Sequence, residues 1–173
     1  DEMTGLLNRK YFYEVLNEEF EKNKDSSLAL AIINVDDFKL YNQLYGIKEG
    51  DVCLQHIAAI IRSSVGDSGY IARYGGKEFA VLLPKYDLFS ARNLVESIAK
   101  QIFVMNNRRT DMKLKAVTVS AGISAAPYAA RNVKELMENV DLAVYHVKHS
   151  GKNGIQVFDT MFRNSNQQGH TKD

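Results

Sequence analysis

Hydrophobic residues recur at helical spacing in four parts of the chain. Phe12, Leu16 and Phe20 stand four residues apart among Glu and Lys, which predicts an amphipathic helix over 8–24. The other three predicted helices carry Val52, Ile57, Ile60 and Ile61, then Ala91, Leu94, Val95, Ile98 and Ile102, and finally Val133, Leu136, Met137, Val140, Ala143, Val144 and Val147.

Other segments have the patterns of strands. Leu28–Val35 is an almost unbroken apolar run, too short for a typical core helix, and predicts a central strand covered on both faces. Apolar residues alternate with Thr, Ser and Gly over 117–124, and a short strand is expected over 155–158. Two β-rich stretches, 70–74 and 78–83, flank Gly75-Gly76, which predicts a hairpin because both glycines can adopt positive φ.

The elements follow the order helix, strand, two helices, hairpin, helix, strand, helix, strand. This order predicts an α/β domain with a mixed sheet and helices packed on it. Asp36 and Asp37 are candidate caps for a short helix that ends by Gly46. We expect one domain over residues 1–160 and a flexible polar tail over 161–173.

Composition narrows the class of protein without naming a ligand. With 22 basic and 21 acidic residues the net charge is +1, so no overall field favours nucleic acid or anionic lipid. No apolar run approaches the ~20 residues of a membrane span and no signal peptide opens the chain, so we expect a cytoplasmic domain without membrane insertion. The single Cys53 excludes an internal disulfide, and its apolar neighbours predict a core residue.

Three separated stretches carry a resemblance to a known family: DEMTGLLNR (1–9), NVDDFKLYNQLYGIKEGD (34–51) and RYGGKEF (73–79). With the closing VTVSAGIS and VDLAVYHVKHSGKNG, they resemble the motifs of the GGDEF family of diguanylate cyclases, in the family's order. The resemblance covers residues 1 to about 158. It implies a nucleotidyl-cyclase-like fold, in which helices flank a central mixed, largely antiparallel five-stranded sheet and a β-hairpin carries the signature turn.

The family condenses two GTP molecules into cyclic diguanylate, and the resemblance implies metal-binding acids at two positions. Those positions hold Asn34 and Lys77 in this chain. Hard cations need anionic oxygens, so a full two-metal site is not expected. Asp36 and Glu78 remain as substitute ligands, with Asp36 the candidate for one weak metal site. Mg²⁺ is expected as a cofactor only if some cyclase activity remains.

The positions that contact nucleotide in the family are better retained. By resemblance, Asn42 and Asp51 read the guanine edge, while Gly75 and Gly76 let phosphates approach the turn from which Lys77 projects. The remaining implied phosphate contacts are the backbone N–H groups of Asp37 and Phe38 and the side chains of Lys39, Lys148 and Lys152.

Plainer interpretations stay open for several of these residues. Asp51 also suits the start of its helix, and Lys148 and Lys152 suit a solvated cationic helix end. His146 and His149 are expected to be surface residues because no third metal ligand is evident. The family's inhibitory R-x-x-D motif falls on Gly66 and Gly69, so no inhibitory site is expected.

Three functions are therefore compared. The first is a catalytically inactive GGDEF domain that binds GTP or partner domains and regulates a larger protein; the chain begins within the first motif, from which we expect neighbouring domains. The second is a weakly active diguanylate cyclase. The third is a nucleotide-free dimerisation module. Expected partners are GTP, other domains of the same protein, or a second GGDEF domain.

Overall fold

One five-stranded sheet forms the centre of the protein, seen in a computed structural model that describes residues 1–107, 117–159 and Phe162. The strands are β1 (Leu28–Val35), β2 (Tyr70–Gly75), β3 (Glu78–Pro84), β4 (Val119–Ala126) and β5 (Gly154–Val157). Their order across the sheet is β2-β3-β1-β4-β5, and only β4 and β5 pair in parallel. The predicted mixed, largely antiparallel sheet is confirmed, and the hairpin supplies two of its strands.

Helices cover both faces of the sheet. They are α1 (Arg9–Lys22), α2 (Phe38–Tyr45), α3 (Ile47–Val65), α4 (Leu88–Asn107) and α5 (Val133–His149). α1 and α5 pack on one face, and α3 and α4 pack on the other. Each predicted helix is present, and a short 3₁₀ turn (Gly66–Ser68) joins α3 to β2.

The position of β1 between two layers of helices explains why its sequence is almost wholly apolar. All eight of its residues are buried, because the even-numbered side chains pack towards α1 and α5 and the odd-numbered ones towards α3 and α4. A strand covered on both faces has no solvent-facing polar positions. Asn34 is therefore the exception, a buried polar side chain on the α5 face near the end of the strand.

β4 begins two residues later than its alternating pattern predicts, at Val119. All of its residues are buried, so its small and polar positions do not form a solvent face. A Cβ added at Gly122 would lie 2.6 Å from the carbonyl oxygen of Val140 in α5. The small residues are needed because α5 approaches the sheet closely at this point.

The predicted hairpin turn is displaced by one residue. Gly75 pairs with Glu78, so the two turn residues are Gly76 and Lys77, and neither Gly75 nor Gly76 has φ in the left-handed region. The prediction of a Gly75-Gly76 turn with positive φ was wrong because a β-bulge between Arg73 and Gly75 shifts the register.

The last strand, β5, ends at Val157. The predicted tail, 161–173, lies outside the described residues apart from Phe162, whose ring packs against Phe158. No helix in the described part of the chain combines the length and the hydropathy of a membrane span.

Candidate nucleotide-binding site

The end of β1 carries a row of polar side chains across three strands. Asn34 is the direct partner of Glu78 on β3 and of Ser120 on β4. Direct partners in an antiparallel pair project from the same face, so the three side chains lie together on the α5 face. The Oδ1 atom of Asn34 is buried and has no hydrogen-bond partner among the described residues.

Asp36, one residue beyond β1, is the centre of a hydrogen-bond network. Its Oδ1 accepts from Ser120 Oγ and Lys148 Nζ, each at 2.6 Å. Its Oδ2 accepts from Thr118 Oγ1 at 2.7 Å and from the backbone N–H of Asn153 at 3.0 Å. The carboxylate therefore joins β1, β4, α5 and the turn after α5.

Two opposing effects set the protonation of Asp36. Burial, the largest influence, would raise the pKa of this carboxyl. The hydrogen bonds from Lys148, Ser120 and Thr118, with the charge of Lys148, together lower the pKa below its ordinary value. Asp36 is thus an ionised carboxylate with four donors, which leaves little capacity for a metal ion. Its interpretation as a helix cap was wrong.

Asp37 is at the N-cap position of α2 but does not cap it. Its backbone is left-handed, with φ 53°, and its side chain makes no capping hydrogen bond. Its Oδ1 instead accepts from Lys152 Nζ at 2.6 Å. The interpretation of the Asp37 side chain as a cap was therefore also wrong: the backbone is left-handed at this residue and the carboxylate contacts Lys152.

Two of the three lysines predicted to contact phosphate, Lys148 and Lys152, are paired with aspartates. The Lys148 and Asp36 side chains are 19% and 2% exposed, whereas those of Lys152 and Asp37 are 42% and 40% exposed. The interpretation of both lysines as a solvated helix end was thus wrong for Lys148. Lys39, on α2, is exposed.

Asn42 and its neighbours on α3 form the predicted guanine side of the site. A Cβ added at the buried Gly50 would lie 1.8 Å from Asn42 Oδ1, so only glycine allows this approach of α2 to α3. Asn42 Oδ1 is buried without a hydrogen-bond partner in the described ranges. Asp51 follows Gly50 and is the fifth residue of α3, beyond its first turn, so the alternative of a helix-start residue was wrong.

The signature turn presents its lysine to solvent. Lys77 is exposed, and its carbonyl oxygen accepts from the backbone N–H of Val35 at 2.9 Å. Arg73 Nη2 donates to the carbonyl of Gly76 at 2.9 Å, which anchors the turn. The half-buried Glu78 folds over Gly75, with Oε1 only 2.9 Å from where a Cβ would be.

A charged cluster beside Glu78, formed by Arg9 and Asp141, was not predicted from the sequence. The Arg9 guanidinium lies 4.4 Å from the centre of the Tyr74 ring, and the hydroxyls of Tyr74 and Tyr13 are 2.9 Å apart. Partial desolvation, followed by the charge of Glu78, raises the pKa of Asp141 on α5. Arg9 and Asp141 both lie within the motifs quoted above, which was the available signal.

The family's Mg²⁺ chemistry does not fit these residues. No group of three or more His, Cys, Asp or Glu side chains positioned to hold a metal occurs among the residues described. Asp36 is already saturated by donors, and Asn34 and Glu78 together offer one amide oxygen and one carboxylate. His146 and His149 are exposed, as expected, and His149 Nδ1 contacts the carbonyl of Tyr145.

The backbone at the two positions of the family's inhibitory motif, Gly66 and Gly69, is unfavourable for residues that carry a side chain. A Cβ at Gly69 would lie 2.1 Å from the carbonyl oxygen of Leu82, and Gly66 has φ 54°. The motif's Arg and Asp are therefore absent from the sequence, and the backbone at Gly66 and Gly69 also disfavours them. Cys53 is a buried core residue, as predicted from its apolar neighbours in the sequence.

Comparisons with known proteins agree with this architecture. A family model described as "Diguanylate cyclase, GGDEF domain" matches residues 1–154. Diguanylate cyclase A of Treponema denticola is 32% identical over 160 residues, 90% of this chain and 43% of that protein. Diguanylate cyclase DgcM of Escherichia coli K12 is 34% identical over 161 residues, 90% of this chain and 37% of that protein. The chain thus spans less than half the length of these two relatives.

A solved structure of the same class is similar over nearly its whole length. The GGDEF domain of DgcB from Caulobacter crescentus, in complex with c-di-GMP, has a TM-score of 0.85 and 28% identity, covering 92% of this chain and 93% of that one. The family model covers most of this chain, and the solved structure shares its fold. The chain belongs to the GGDEF family of diguanylate cyclase domains.

Proposed function

We propose that this chain is a catalytically inactive GGDEF domain of cyclic-diguanylate signalling, which binds GTP or a partner protein and regulates the protein that contains it. The observation that carries the proposal is that the carboxylates needed to bind metal are replaced or already occupied. The family's two acid positions hold Asn34 and Lys77, and the neighbouring Asp36 is committed to four internal donors.

Joining a 3′-hydroxyl to an α-phosphate requires activation of a poor nucleophile and dispersal of charge on phosphorus. In this chain a neutral amide and an exposed ammonium occupy the corresponding places. An ammonium can bind phosphate oxygens as a point charge, but it cannot orient and deprotonate a hydroxyl as a metal-bound site does. Binding and chemistry are therefore separable at this site.

Guanine binding rests on Asn42 and Asp51. An amide and a carboxylate together can pair with the O6 acceptor and the N1 and N2 donors of guanine. The Oδ1 of Asn42 is buried against Gly50 and has no partner among the described residues, so it becomes an acceptor for a guanine N–H when the side chain turns towards the ligand. We expect GTP to bind better than ATP by calorimetry, and Asp51→Ala to remove much of that preference, since an unpaired buried donor costs about 1–3 kcal/mol. Equal affinities for GTP and ATP would contradict guanine recognition.

The direct test is incubation of the domain with GTP and Mg²⁺ or Mn²⁺, followed by chromatography for cyclic diguanylate. We expect no product above background. Steady accumulation of product that is abolished in Asn42→Ala would instead identify a weakly active cyclase. Absence of GTP binding, combined with concentration-dependent dimerisation in sedimentation, would support the nucleotide-free dimerisation module.

A further inference from the structure

We propose that Asp37 is an internal competitor of phosphate: its carboxylate occupies Lys152 when no nucleotide is bound and must be displaced before Lys152 can contact a phosphate group. This inference rests on the proposed function, because it concerns the same site. It names one residue that sets the affinity of the site for phosphorylated ligands.

The two lysine–aspartate pairs differ in how easily they can exchange. Lys148 donates to an Asp36 carboxylate that is 2% exposed and has three further donors. Removing Lys148 would leave a buried charge without its cationic partner, so this pair is part of the fold. The Lys152–Asp37 pair is about 40% exposed on both sides, and exposed pairs contribute little to stability. Lys152 is therefore the lysine that can change partner.

The side chain of Asp37 faces Lys152 and does not cap α2, whose first hydrogen bond is accepted by the backbone carbonyl of Asp37. It makes no side-chain capping hydrogen bond, although it holds the N-cap position. Its 2.6 Å contact with Lys152 has the length of a charge-assisted hydrogen bond. The hydrogen bond that Lys152 donates to Asp37 is also the main reason why the pKa of Lys152 is raised. The carboxylate thus stands where a phosphate oxygen would bind the ammonium.

The backbone around the pair is held by other contacts. Both partners have positive φ, 53° for Asp37 and 63° for Lys152. The backbone N–H of Asp36 donates to the carbonyl of Thr118 at 2.9 Å, and the backbone N–H of Lys152 donates to that of Val147 at 2.9 Å. Neutralising Asp37 should therefore change the charge at the site and leave the two turns in place.

A bound triphosphate would face two effects of Asp37. It must replace the carboxylate on Lys152, and its negative charge would then be repelled by the displaced carboxylate. Both effects disappear in Asp37→Asn, which keeps the shape of the side chain. We expect this variant to bind GTP about two- to fivefold more tightly than the wild type.

The experiment is calorimetry with three probes: GTP, inorganic tripolyphosphate and guanosine. Asp37→Asn should tighten binding of the first two and leave guanosine unchanged. Asp67→Asn is the matched control, because it makes the same charge change in the 3₁₀ turn at the opposite end of the sheet. The gain should be smaller when Asp37→Asn is made in the Lys152→Ala background, because only the repulsion between Asp37 and phosphate is then left to remove.

The outcomes separate this inference from the proposed function. Tighter binding of tripolyphosphate by Asp37→Asn, without GTP binding by either protein, would support competition by Asp37 and argue against a GTP-binding site. Unchanged or weaker binding of both probes by Asp37→Asn would overturn the competition, even if wild-type GTP binding is strong. An equal gain in Asp67→Asn would also overturn it, since net charge would then explain the effect. No binding of any probe would overturn both.

Discussion

The two sides of the candidate site are organised very differently. The basic side consists of Asp36, Asp37, Lys148 and Lys152, and each of these side chains has a charged partner. The turn side consists of Asn34, Gly76, Lys77 and Glu78. There Asn34 Oδ1 is unpartnered among the described residues, and Lys77 is exposed.

This difference shows that a carboxylate in a family motif can hold the fold together without taking part in catalysis. Asp36 lies two residues from the family's metal-binding acid position and on the same face of β1, yet its contacts join four structural elements. In the part of the chain that the structure describes, the amide oxygen of Asn34 has no such contacts. We therefore expect substitutions of the buried pair, Asp36 and Lys148, to affect folding, and substitutions on the turn side to affect binding and metal dependence.

The largest effect is expected from Asp36→Ala. It removes the acceptor of four donors and leaves Lys148, 19% exposed, without its carboxylate. Breaking a buried pair on one side typically costs about 3–5 kcal/mol of unfolding free energy, and urea denaturation would measure the loss. Asp37→Ala is the matched control and should have little effect on stability. Should Asp36→Ala fail to fold, the milder Asp36→Asn gives the same comparison; equal losses at Asp36 and Asp37 would remove the distinction between the two pairs.

The next effect concerns the turn side, in the double variant Asn34→Asp with Lys77→Glu. It places acids beside Glu78, and without metal we expect a loss of about 1–3 kcal/mol in unfolding free energy from the added buried charge. Mg²⁺ should reverse this loss by linkage, by about 2.7 kcal/mol at one hundred times its dissociation constant. Thermal unfolding with EDTA or Mg²⁺ would measure both. If Mg²⁺ stabilises the wild type equally, a metal site already exists without these acids.

Acidification should lower the unfolding free energy of the protein, because Asp36 becomes protonated. Because the pKa of Asp36 is lowered in the folded state, its ionisation stabilises the fold above the unfolded-state pKa of about 4. That contribution is lost as the pH falls through the folded-state pKa. The difference in unfolding free energy between wild type and Asp36→Asn should therefore shrink below about pH 4. Asp87, whose pKa is also lowered by hydrogen bonds from Ser90, titrates equally in both proteins and cancels. A constant difference down to pH 2 would show that the charge of Asp36 does not stabilise the fold.

The fold could be predicted from the sequence because burial determines its pattern. β1 is covered on both faces, so its apolar run has the same bounds in the sequence and in the structure. The turn was misplaced by one residue because a bulge leaves no signal in the pattern of hydrophobic residues. The polar residues of β4 suggested alternation, yet they are buried under α5, and only the tertiary structure reveals that cover.

The sequence predicted which residues form the candidate site, but not which of them contact one another. The motifs indicated Asp36, Asp37, Lys148 and Lys152, which the structure does bring together. Which lysine meets which aspartate depends on contacts between residues more than 110 positions apart in the chain. The saturation of Asp36 depends also on Thr118 and Ser120, which no motif marked as polar partners. Their roles follow from strand register, which the sequence does not specify.

The smallest effect on stability, and the clearest on binding, is expected from Lys77→Ala. Lys77 is exposed in a two-residue turn, so its loss should change the unfolding free energy by no more than about 0.5 kcal/mol. If its ammonium contacts phosphate oxygens directly, GTP binding should persist in excess EDTA and weaken in Lys77→Ala by about 1–3 kcal/mol. Calorimetry with and without EDTA measures both quantities, and Lys85→Ala, at the opposite end of β3, controls for the loss of one positive charge. Strict dependence on Mg²⁺ with no effect of Lys77→Ala would mean that Lys77 faces solvent in the complex and that the turn side holds metal after all. A turn side that binds phosphate without metal therefore requires both the tolerance of EDTA and the sensitivity to Lys77, since each alone is compatible with binding through the basic side.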